Sequence, residues 1–145
     1  MRRKALCLFA VMSLSVGLFG LAAPSLAQTP SDPKAAAEGF LTALDSGDPG
    51  ATYDKWVAER AKAFVSRDAF VQGINVFRIQ SGGPAQSRLF VGGTPINQIP
   101  NGPTGDFYYL RYRQGYSSSP LFFDVTLERV NQSWLVLNYN FSPAP

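Results

Sequence analysis

The side chains that could do chemistry in this chain are few in kind. There is no histidine, and the one cysteine is Cys7. Without histidine there is no Ser-His-Asp or Cys-His catalysis, and the commonest transition-metal ligand is missing. Cys7 lies in an N-terminal apolar run, so no thiol chemistry or structural zinc is expected of the sequence that follows. No metal and no cofactor is expected, and any reaction would fall to carboxylates, tyrosines or arginines.

Carboxylates come in two close pairs, Asp45 with Asp48 and Asp54 with Glu59. The first flanks the end of one helical pattern and the start of the next, where capping accounts for it. The second falls on the polar side of an amphipathic helix. Both are weighted towards structure over acid–base work. Arg78, Arg88 and Asp124 form a more pointed set. A helix end and two strands could bring them together, either as an anion site of paired guanidiniums or as an Arg–Asp network tying helix to sheet. The network reading is favoured, with Arg78 or Arg88 expected to contact Asp124. Tyr108, Tyr109, Tyr112, Tyr116 and Trp134, with Arg111 and Arg113 among them, make an aromatic-rich β region. Such interleaving can bind single-stranded nucleic acid, but core packing plus one exposed sheet face is the simpler account. Asn131-Gln132-Ser133 matches a glycosylation sequon, a weak signal on three residues.

These residues need elements to hold them. Asp32-Pro33 reads as an N-cap with proline at the first helical position, and Ala37, Phe40, Leu41 and Leu44 follow at helical spacing until Gly47. Asp48-Pro49 repeats the signal, and Tyr53, Trp56, Val57, Ala61 and Phe64 predict one long apolar stripe. Ser66 caps a third helix with Phe70, Ile74 and Phe77 on its buried face, ended by Gly82-Gly83-Pro84. The remainder predicts strands over 87–91, 107–113, 121–130 and 133–141. The segment from Gly92 to Gly105, with three prolines and four glycines, predicts a long loop. Asn131-Gln132 predicts the last hairpin turn. The fold class is therefore α+β: three N-terminal helices packed on a curved four-stranded antiparallel sheet. A sheet curved in this way can form a cone, and periodicity leaves open whether its interior is a cleft or is filled.

The N-terminus has the three parts of a secretory signal. Arg2, Arg3 and Lys4 precede an apolar run from Ala5 to Ala23, Pro24 breaks it, and Ser25-Leu26-Ala27 is an A-x-A-like cleavage site. The expected organisation is a signal peptide over 1–27, a flexible lead over 28–35, one domain over 36–141 and a frayed tail over 142–145. The mature protein would begin at Gln28, in the periplasm or secreted. Arg2, Arg3 and Lys4 account for three of the 13 basic residues, so the ten that remain balance the ten acidic ones. That neutrality argues against a nucleic-acid partner and, once the signal is cleaved, against a membrane.

Several of these residues together resemble the small bacterial exported proteins classed as domain of unknown function 4019, over about Ala36 to Phe141. The resemblance is carried by Trp56 in the second helix, Arg78 with Gly82 closing the third, and Arg88. It continues with Pro103-Thr104-Gly105 before the tyrosine-rich Phe107-Tyr108-Tyr109, then Asp124, Trp134 and Tyr139. Gln132-Ser133 and Asn138 depart from its glycines. The resemblance implies a bacterial envelope protein, nuclear-transport-factor-2-like or cystatin-like in shape, with no assigned activity.

The expected function is an exported, non-catalytic module binding an envelope protein or a small ligand. The outer sheet face with Tyr108, Arg111 and Tyr112, together with the Gly92 to Gly105 loop, is the expected surface. One alternative is a small isomerase- or hydratase-like enzyme with Asp106 or Asp124 as base and tyrosines as oxyanion donors. A purely structural envelope component is the other.

Overall fold

The computed structural model describes residues 30–145. The expected signal peptide, its cleavage site and Gln28 lie outside the described residues. The fold is α+β. Helices α1 (Pro33–Ser46), α2 (Pro49–Trp56), α3 (Glu59–Lys62) and α4 (Arg67–Ser81) precede a four-stranded antiparallel sheet. Its strands β1 (Ser87–Gln98), β2 (Thr104–Gly115), β3 (Pro120–Val130) and β4 (Ser133–Pro143) lie in chain order.

The helix starts are those the sequence dictates. Asp32 accepts from the Ala35 amide at 2.8 Å, Asp48 from Ala51 at 2.7 Å and Ser66 from Ala69 at 3.2 Å. Each satisfies an amide that has no partner inside the helix. Gly82 ends α4 at φ 76°, in the left-handed region that favours glycine.

There are four helices and not three. The stripe expected to run from Tyr53 to Phe64 breaks after Trp56, because Val57 forms a parallel bridge with Val136 of β4 and the Ala58 amide donates to the Val136 carbonyl at 2.9 Å. Val57 keeps its amide bond to the Tyr53 carbonyl, and the next amide, Ala58, exchanges a helical bond for a sheet one. The chain then resumes as α3, and Phe64 emerges on the surface at 89% exposure instead of joining the core.

Alternation along the strands sets two faces. Leu110, Tyr112 and Gln114 of β2 and Phe123, Val125 and Leu127 of β3 face the helices and are buried. Against them pack Phe40, Leu41 and Leu44 of α1 and Phe70, Ile74 and Phe77 of α4. Phe77 stands edge-on to Tyr116 and to Phe123, with ring centroids at 5.5 and 5.6 Å. Each such buried side chain contributes about 1.5–3 kcal/mol relative to exposure. A continuous cluster of buried side chains occupies the space between helices and sheet, with a recess of about 170 Å³ beside Phe77, Leu121 and Phe141.

The expected Gly92 to Gly105 loop is mostly strand. β1 pairs with β2 from Ser87↔Gly115 to Gln98↔Thr104, with irregularities between Phe90 and Gly92 and between Ile96 and Gln98. Pro95 is tolerated because β1 is an edge strand, where a ladder donor can be spared. Only Ile99 to Pro103 turns, closed by the Ile99 amide on the Pro103 carbonyl at 3.1 Å. At the other end Ser142 and Pro143 remain in register with Phe122 and Leu121, so β4 runs past the expected start of the tail. The Asn131-Gln132 turn is as expected, with Asn131 at φ 57°.

Candidate functional site

The three residues Arg78, Arg88 and Asp124 do not meet. Arg78, in the last turn of α4, caps the end of α1: its guanidinium donates to the carbonyls of Leu44 at 2.7 Å, Ala43 at 3.1 Å and Gly47 at 2.7 Å. A cation belongs there, because the last carbonyls of a helix carry partial negative charge.

Arg88 bonds Asp45 of α1 at 2.7 Å and takes Gln114 Oε1 at 2.9 Å and Thr42 Oγ1 at 3.0 Å. The Tyr116 hydroxyl completes the cluster on the second oxygen of Asp45 at 3.0 Å. Burial raises the Asp45 pKa, against the lowering pull of Tyr116 and Arg88. Burial likewise raises that of Tyr116, with the Asp45 charge adding to it. Gln114 Nε2, buried beside this cluster, has no hydrogen-bond partner. Its orientation is fixed because Arg88 Nε requires the amide oxygen.

Asp124 instead faces Arg111, its cross-strand neighbour on β2. The pair is bidentate, with Nε to Oδ1 at 2.7 Å and Nη2 to Oδ2 at 2.8 Å. The Tyr109 hydroxyl donates to the same carboxylate at 2.6 Å. Arg111 holds the Asp124 pKa below the usual carboxylate value. Burial and the Asp124 charge raise that of Tyr109. This cluster sits on the outer sheet face with its donors and acceptors already matched to one another.

The surface expected of Tyr108, Arg111 and Tyr112 does not form. Tyr112 is fully buried against the helices, and burial raises its pKa. Tyr108 shares that inner face and meets Trp134 edge-on, with centroids at 6.0 Å. Only Arg111 stands on the outer face. Residues 108 and 112 have the opposite parity to 111, so no regular strand could show all three on one side.

What the surface does offer is a groove that the sequence does not announce. The tip of the β1–β2 hairpin, through Ile99 and Pro103, approaches the end of α3 and the turn after it, through Arg60, Ala61, Phe64 and Val65. Thr126 of β3 with Leu137 and Asn138 of β4 completes the lining, around a space of about 410 Å³. Leu137 and Asn138 sit beside a register irregularity in the β3–β4 pairing at Thr126/Leu127. Phe64 stands at the groove almost wholly exposed. Arg60, the one charged residue lining it, pairs with Glu128 at 3.1 Å. A concave space of this size, mostly apolar with a few polar groups, is the form a small-ligand or side-chain pocket takes.

No family model, curated protein or solved structure matches the chain. Among the described residues, no helix is long and apolar enough to cross a membrane.

Proposed function

We propose that this is an exported, non-catalytic binding module of the 4019 type. Its site is the groove between the β1–β2 hairpin tip and the turn after α3. One observation carries the reading: an apolar space of about 410 Å³ beside a phenylalanine that the core leaves 89% exposed. A large aromatic held out in water beside a preformed concave surface is poised to gain from burial on binding.

The aspartate-base alternative has less support. An isomerase of that kind needs a carboxylate in an apolar, accessible cleft. Here no carboxylate lines the recess between α4 and the sheet, Asp124 is locked by Arg111 and Tyr109, and exposed Asp106 pairs with Arg129 at 3.4 Å.

Titrating ¹⁵N-labelled protein with 1-octanol, a neutral apolar probe, tests the site. Amide shifts should centre on Ala61, Val65, Ile99 and Leu137, and Phe64→Ala should weaken them without lowering Tm. Shifts centred elsewhere, for example on exposed Leu89 to Val91, or no shifts at all, would remove the groove as the site.

A further inference from the structure

The chemistry of the groove narrows its ligand, an inference that rests on the binding reading above. We propose that the groove takes a free aliphatic carboxylate, with the chain along Ala61, Val65, Ile99 and Leu137 and the carboxylate on Arg60. Apart from Phe64 the apolar lining is aliphatic, and Arg60 is its only charged member. The nearest approach of Arg60 to Glu128 is Nη2 to Oε1 at 3.1 Å. A guanidinium presents five N–H donors in a planar fork, so most of that fork remains for a second carboxylate in bidentate geometry. Glu128 is largely buried and the Arg60 side chain is half exposed. Glu128 therefore holds one end of the guanidinium, and the exposed Arg60 side chain also lines the groove.

The Arg60–Glu128 pair carries no net charge. The head group accordingly sets orientation and preference, while the chain supplies affinity. Each buried methylene is worth about 0.8 kcal/mol, which converts to about fourfold in Kd, and less where the open side leaves a methylene partly wet. The same neutrality separates a dissolved ligand from a bilayer. Adhesion to an anionic membrane takes a cluster of about 4–8 basic residues, and only one lines this groove.

Calorimetric or NMR titration with hexanoate, octanoate and decanoate, each as monomer, should give Kd values falling about two- to fourfold per added methylene. Decylammonium should bind on the order of tenfold more weakly than decanoate. Arg60→Gln should erase that preference and keep the chain-length trend, and Arg60→Lys should restore part of it. If no amphiphile and no octanol binds, the groove reading fails altogether. A chain-length trend with equal affinity for decanoate and decylammonium, or a preference that survives Arg60→Gln, would leave the groove standing and overturn the carboxylate. Binding to phosphatidylglycerol vesicles without binding to free decanoate would overturn the dissolved ligand.

Discussion

Two parts of this molecule use the same three residue types and put them to different ends. At the helix–sheet interface Arg88 meets Asp45 at 2.7 Å with Tyr116 on the carboxylate; on the outer sheet face Arg111 meets Asp124 at 2.7 Å with Tyr109 on it. The shortest Arg–Asp distances do not separate them, yet the Asp45 pKa moves up and the Asp124 pKa moves down. Water access and the second Arg111 hydrogen bond are the differences. The side chains of Asp45 and Arg88 are 9% and 21% exposed, against 19% and 42% for Asp124 and Arg111. At the interface, loss of hydration outweighs pairing for the carboxylate; outside, the bidentate guanidinium outweighs it. Span differs too. Arg88 joins β1 to α1 across 43 positions of sequence, whereas Arg111 and Asp124 are neighbours in one hairpin. The inner cluster therefore fixes the position of the helical layer, and the outer one only stiffens a register that backbone pairing already defines.

Removing each aspartate should separate the two clusters most widely. Asp45→Ala strands Arg88 in a mostly buried position. Loss of one partner of a buried pair costs about 3–5 kcal/mol, and the hydrogen bonds Arg88 keeps to Gln114 and Thr42 place this case at the low end. Tm should fall on the order of 10 °C. Asp124→Ala leaves Arg111 free to turn into water and should cost about 1 kcal/mol or less. Thermal melts of the two variants check this, and equal losses would mean that the clusters are energetically alike.

The tyrosines should differ in the same direction on a smaller scale. Tyr116→Phe removes a donor to a buried carboxylate and should cost about 1–2 kcal/mol, measured by urea denaturation. Tyr109→Phe removes a shorter bond, 2.6 Å against 3.0 Å, but one that water can replace, and should cost a few tenths to about 1 kcal/mol. A larger loss for Tyr109→Phe would reverse the argument about water access.

This division was only half legible in the sequence. Caps at Asp32, Asp48, Ser66 and Gly82 announce themselves because their partners lie within three or four residues. Inner-face residues such as Phe123, Val125 and Leu127 follow from alternation, and Phe70, Ile74 and Phe77 from helical spacing. Val136 does not: alternation of Leu135, Leu137, Tyr139 and Phe141 points to the other parity, and the register irregularity in the β3–β4 pairing changes which residues turn inward. Arginine pairings do not, because they depend on register and on where α1 crosses the sheet, which are set by contacts between residues tens of positions apart. The opposite parity of 111 to 108 and 112, by contrast, is legible in the sequence alone. The extension of β1 through Gly92 to Gln98 was hidden differently. Glycine and proline are locally signs of a loop, and only pairing with β2 and the edge position of Pro95 make a strand of them. The groove was lost with the break at Val57, since Phe64 continues an apolar stripe whose helix ends eight residues earlier, when β4 takes the backbone.

The smallest effect is also the most discriminating, because the two clusters should respond to acid with opposite signs. Asp124 has a folded-state pKa below its unfolded value of about 3.8. Its contribution to stability is present above that value and is lost as pH falls through the lowered folded pKa. Asp45 has a folded-state pKa above about 3.8. The native state binds its proton more readily than the unfolded chain does, so its contribution is full below the unfolded pKa and is lost as pH rises through the raised folded one. Acidification from neutrality therefore first relieves Asp45, between its raised pKa and 3.8, and only then releases Asp124. Urea denaturation across this range for wild type, Asp45→Asn and Asp124→Asn resolves the two. Relative to wild type, Asp45→Asn should lose stability as pH falls towards 3.8, because it lacks the group that gains a proton there. Asp124→Asn should run parallel to wild type down to that point and recover part of its deficit below it, where the wild-type pair is itself being released. Should the Asp45→Asn and wild-type curves stay parallel throughout, hydration is not what distinguishes the two aspartates. The inner cluster would then be an ordinary ion pair that happens to lie between a helix and a sheet.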